Sequence, residues 1–278
     1  MKLSEVYSGI STDRKRWQYY SNGASDIFLA ITSKDENEPW KFISDYFACG
    51  GKQSLLINIQ LPANRSRHIL STYLLGIALH EKFYSDGSGD FGINVYDEAK
   101  HGKNPWLYTW FLTCLFHDVG YVYEEGSAPF RMSNEYKKLC YDELDFPLAL
   151  KYYKYRRKHR VADHGIVGGM ILYSKLQKLF KEVLKNDRST VRNNLYYGTA
   201  LYDLHKIAAR AIMRHNMWTA DKEHKEEYRE AGLEQLIAGD PCSKLSAKNG
   251  FSFLLGLCDS IEPIKRFGCV ETHFCLKI

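Results

Sequence analysis

A chain of 278 residues, 45% of them hydrophobic, can fill one sizeable core and does not require two domains. Its net charge of +5 is modest; it favours anionic partners such as phosphate esters, nucleotides or nucleic acid without choosing among them. Seven cysteines with no C-x-x-C pair exclude a zinc ribbon or disulfide framework, no apolar run nears the roughly 18 residues of a membrane span, and Met1-Lys2-Leu3-Ser4-Glu5 opens no apolar signal core, so a cytoplasmic, soluble protein is expected.

Residues 1–60 mix Tyr, Trp, Ser and charged side chains with weak periodicity and read as an N-terminal extension packed on the core. Apolar positions 69, 70, 73, 74, 77 and 78 then recur at helical spacing and predict a core helix from Arg65 to Phe83. His68 stands near its start and His80 near its end. At about 100° per residue they are roughly 120° apart around the axis, too far to serve one site readily. The Gly- and Asp-rich run from Asp86 to Gly92 predicts a surface loop. The apolar run Trp110-Phe111-Leu112-Thr113-Cys114-Leu115-Phe116 ends in the doublet His117-Asp118, followed by Val119-Gly120.

An irregular, partly acidic insert is predicted from Glu124 to about Leu148, with Pro129 and Pro147 inside it. The basic run from Lys151 to Arg160 carries Lys154, Arg157 and Arg160 with three Tyr interleaved. Residues 163–184 form the clearest helix, with Asp163 suited to the N-cap, His164 behind it, and Gly165, Gly168 and Gly169 in its first turns. A further helix from Thr199 to Trp218 holds His215 in its last turns, and His205 falls roughly 80° from it around the axis. A final helix from Phe251 to about Phe267 contains Asp259, and residues 269–278 alternate weakly, as a short strand would. The fold class expected is mostly α, with irregular loop insertions.

Buried carboxylates and imidazoles are costly unless a metal or a strong partner holds them. Here His68, His117-Asp118, His164, His215 and Asp259 all emerge from apolar surroundings in the order H…HD…H…H…D. In this the chain resembles the HD-domain superfamily of metal-dependent phosphohydrolases, over residues 61–268. The resemblance implies an HD-domain-like helical bundle and two divalent transition metals, drawn from Fe, Mn, Ni, Co and Zn, with Mg as a further candidate. It assigns His68, His117, Asp118 and Asp259 to one metal, and His164, His215 and the other oxygen of Asp118 to the second; it also prefers His68 to His80. Two metals so placed can share a bridging hydroxide for attack on phosphorus. Hydrolysis of a phosphate ester or anhydride, most simply of a nucleotide, is the implied activity, with Asp118 and His117 as catalytic residues.

Phosphate oxygens call for cations, and Arg is well shaped to hold them. Arg160, Arg157, Lys154, Arg214 and Arg266 are the candidates, joined by Tyr121, which stands where many members of the family carry Lys after the doublet. Asp163 is expected either to cap its helix or to orient His164 by accepting its other N–H. The same six ligands also serve HD-domain di-iron oxygenases, and a non-catalytic nucleotide or nucleic-acid binding module is a third alternative. The expected partner is a small phosphorylated substrate, with nucleic acid an open alternative and no membrane. No tandem regulatory domain is visible, so control falls to homo-oligomerisation or an outside partner.

Overall fold

The computed structural model describes residues 63–85, 105–124, 130–144, 146–186, 201–237 and 250–262. The N-terminal extension, the loop 86–92, Arg266 and the strand expected at 269–278 lie outside them. The described elements are α1 (Ala63–Ser85), α2 (Pro105–Phe116), α3 (Tyr121–Glu124), α4 (Asn134–Lys138), α5 (Pro147–Lys158), α6 (His164–Asn186), α7 (Leu201–His215), α8 (Lys225–Glu230) and α9 (Gly250–Ile261). Among the described residues there is no strand, and no helix is long and apolar enough to cross a membrane.

The centre of the bundle follows from α2, whose residues 109–116 are all buried. A helix apolar on every side has to be enclosed by others, and α1, α7 and α9 pack around it. Pro105 opens it without losing a needed N–H. Trp110 Nε1 donates to the Tyr73 carbonyl across the α1 contact at 3.0 Å. Among the described elements the most extensive pairing is that of α6 with α7, and α7 also touches α9. Asp163 caps α6: its Oδ1 accepts the Ile166 N–H at 3.1 Å, a bond of a kind that stabilises a helix by about 1 kcal/mol.

One expectation is corrected by the structure. The insert 124–148 is partly helical: the Ser133 hydroxyl accepts the Tyr136 N–H and starts α4, which runs on as a π-helical turn, Leu139–Glu143. The cue in the sequence is the N-cap serine. Most of the basic run, Lys151 to Lys158, lies in α5, and helical rotation splits it: Tyr152, Tyr153 and Tyr155 are buried while Lys154, Arg157 and Lys158 face outward. Arg160 adopts a φ of 63° as the chain leaves α5.

His205 on α7 has no exposed surface, and burial pushes its pKa from 6.5 down to about 3. The unfolded chain binds a proton there that the folded chain refuses, so this ring costs no stability above about pH 6.5 and lowers it as pH falls toward 3. His205→Gln is expected to flatten the acid loss of stability between pH 6.5 and 4, each protein being scaled to its own value at pH 7.5. An unchanged slope in urea melts across that range would contradict this assignment.

Candidate metal centre

Helix ends build this site. His68 lies in the second turn of α1, His117 and Asp118 form the turn after α2, His164 is the first residue of α6, His215 the last of α7, and Asp259 sits in the final turn of α9. Two of the imidazoles double as caps. The last carbonyls of a helix lack intrahelical partners; His117 Nδ1 donates to the Cys114 carbonyl at 2.8 Å and His215 Nδ1 to the Ile212 carbonyl at 2.6 Å. The other two rings are held by carboxylates. His68 Nδ1 meets Glu262 at 2.8 Å and His164 Nδ1 meets Glu124 at 2.5 Å. All four Nδ1 atoms are thus engaged outward.

All four Nε2 atoms consequently point inward, where they fall into two pairs. His68 and His117 bring their Nε2 atoms to 3.2 Å; His164 and His215 bring theirs to 3.3 Å. Asp118 joins both groups, since His68, His117 and Asp118, and again Asp118, His164 and His215, place ligand atoms within 4.8 Å of one another. Asp259 completes the first group at 2.9 Å from His68 Nε2 and 3.8 Å from His117 Nε2. A neutral imidazole that donates from Nδ1 has a bare lone pair at Nε2. Two such nitrogens face each other comfortably only around a shared proton or cation. Nitrogens about 2.1 Å from one ion, at angles between octahedral and tetrahedral, stand roughly 3.0 to 3.4 Å apart. The residues present fit a metal at each pair.

The electrostatics agree. Burial pushes His117 down to about 4, and burial together with the neighbouring His215 ring holds His164 well below its usual range, so both rings are neutral at pH 7. Burial would lower His68 as well, but its bonds to Asp259 and Glu262 and the charge of Asp118 outweigh that and lift it to about 9. Burial would raise Asp118, yet the rings of His117, His68 and His164 keep its carboxyl below the ordinary value. The carboxylates around His68 thus favour positive charge in this pocket. Side-chain exposure is 12% for Asp259 and at most 6% for the other five.

The structure brings together all six residues expected as ligands. Tyr121 stacks flat on the His164 ring, centroids 3.8 Å apart at 15°. His80 instead stacks on Trp106. Arg214 lies over the Phe146 ring at 4.5 Å, and Lys154, Arg157 and Arg160 are exposed. The cation of that run which does approach is Arg156, 3.6 Å from Asp163 and 3.8 Å from Glu124. Asp163 does not take the second N–H of His164; it caps α6 and accepts from Asn216 at 2.9 Å, while Glu124 orients the ring. Glu262 and Glu124 escaped the sequence reading. Glu262 carried a signal, since it follows Asp259 by three residues and so shares its helix face; Glu124 had been assigned to the irregular insert.

No family model matches the chain, and neither a curated protein nor a solved structure is significantly similar to it. The kinship suggested by motif order therefore stands as a resemblance.

Proposed function

We propose that this chain is a metal-dependent phosphohydrolase that cleaves a phosphate ester or anhydride, most simply of a nucleotide. The observation that carries the reading is the convergence of four Nε2 atoms on one shared carboxylate, with every Nδ1 held from behind. His68, His117, Asp118 and Asp259 would hold one divalent ion, and His164, His215 and Asp118 a second. Such ions supply an activated water at neutral pH and neutralise phosphoryl oxygens. The chain supplies the rest. Asp118 fixes the spacing of the two groups, the helix-end carbonyls and the two glutamates fix ring orientation, and burial keeps bulk water from the inner ligands. In the reaction a water oxygen bonds to phosphorus, the bond to the leaving oxygen breaks, and the proton ends on the leaving group or in buffer.

The test is release of phosphate or monophosphate from a panel of nucleotides and simple esters, with Mn, Co, Ni, Zn, Mg or Fe restored to stripped protein. Metal-dependent turnover supports the reading. No turnover with any metal, or oxygen consumption in the iron form alone, would replace it with the oxygenase or binding-module alternative. Glu124→Gln keeps the side-chain shape but lowers the basicity of His164, and should weaken metal binding about 10- to 100-fold with the fold intact. Competition with a chromogenic chelator measures it; unchanged affinity would mean that Glu124 serves only to tie α3 to α6.

A further inference from the structure

A cleft of about 300 Å³ lies beside the candidate centre and has no part in the chemistry above. That volume is at the lower end for small-molecule sites. Its walls come from Tyr152, Tyr155 and Arg156 of α5, the segment Trp218–Asp221 that follows α7, and Tyr228 of α8. Two links join it to the centre. Trp218 follows His215 by three residues, its Nε1 donates to Asn216 at 2.9 Å, and Asn216 donates to Asp163, the residue before His164. Arg156 stands between the cleft and the carboxylates of Asp163 and Glu124.

Trp218 is the informative residue. It is 55% exposed, yet its backbone is fastened on both sides: its N–H donates to the Tyr152 hydroxyl and its carbonyl accepts from Tyr228, each at 3.3 Å. An indole held this firmly with much of its surface open is a stacking platform, and every nucleobase offers it a π-face. At the other end Arg156 keeps its donors. Its two carboxylate contacts, 3.6 and 3.8 Å, are too long for hydrogen bonds, and a guanidinium offers five N–H groups in a fork that suits phosphate. At the rim the Asp221 carboxylate and the His224 ring, 2.6 Å apart, add polar groups for the edge of a base or a sugar.

We propose that this cleft is a nucleotide subsite, with a base stacked on Trp218 and its phosphate turned toward Arg156. The proposal deepens the hydrolase reading and takes from it only the phosphorylated class of ligand. Binding itself needs no metal.

Calorimetry on the full chain, with and without added metal, tests it using AMP, GMP, CMP and UMP against ribose 5-phosphate and inorganic phosphate. Nucleoside monophosphates should bind at least about tenfold more tightly than ribose 5-phosphate. Trp218→Ala should erase that advantage, a loss of about 10- to 100-fold for nucleotides, without changing ribose 5-phosphate binding, and Trp218→Phe should restore part of it. Arg156→Gln should weaken AMP but not adenosine. Equal binding of ribose 5-phosphate and AMP, indifference to Trp218→Ala, or binding of oligonucleotides alone would each overturn the proposal. Nucleotide binding without hydrolysis under any metal would keep this subsite and remove the hydrolase reading. Hydrolysis that ignores both the base and Trp218 would do the reverse.

Discussion

Asp118→Ala is expected to empty both halves of the centre at once and to lower metal-dependent hydrolysis by about a thousandfold or more. The size follows from the several kcal/mol of transition-state stabilisation that such ions provide, at about 1.4 kcal/mol per factor of ten. Among the described residues no other side chain stands in both groups of converging atoms, so His68→Ala or His215→Ala should each spare one of them. The fold should survive. The carboxyl of Asp118 is fully buried, and its removal leaves His68 still bonded to Asp259 and Glu262. Metal analysis beside a circular-dichroism melt separates the cases: a folded variant with wild-type metal content would remove Asp118 from the site.

Gly120→Ala is expected to destabilise the protein by about 3 kcal/mol, toward the upper end of the range for overpacking, and to displace the doublet from α6. A Cβ at Gly120 would lie 2.0 Å from the His164 carbonyl oxygen and 2.6 Å from its Cα. Those are backbone atoms, so the turn that carries His117 and Asp118 must back away from the residue that opens α6. The fall in melting temperature should be about 6 to 12 °C for a chain of this size, with metal affinity lost in the same variant. Gly256 on α9 supplies the control. There the nearest atom to an added Cβ is 3.9 Å away, and Gly256→Ala should gain roughly 0.5 to 1 kcal/mol from helix propensity. Similar melts for the two variants would contradict the close approach at Gly120.

Four of the six residues that come together were legible because they sit where an apolar period starts or stops. His117-Asp118 ends the run that fills the middle of the bundle, His164 follows a visible N-cap, and His215 closes a stripe of Leu204, Ala208, Ala211 and Ile212, all buried. What holds the rings was not legible, because it depends on which distant ends meet: Glu262 reaches His68 across 194 positions of sequence and Glu124 reaches His164 across 40. The basic run illustrates a second limit. Arg160, Arg157 and Lys154 are the candidates the sequence offers, but on a helix neighbours diverge by about 100°, and it is Arg156 that turns toward Asp163 and Glu124. Trp218 gave no sign at all, since its value comes from the buried tyrosines that pin a segment beyond the end of α7.

Elemental analysis of protein purified without chelators or a polyhistidine tag decides whether these six side chains hold metal. Close to two transition-metal ions per chain, falling to near zero in Asp118→Ala, is the result expected. No bound metal in the wild-type chain, even after Mn, Fe, Co, Ni and Zn are each added back, would contradict it, and the cluster would then be a protonated His68 held among buried carboxylates and neutral imidazoles.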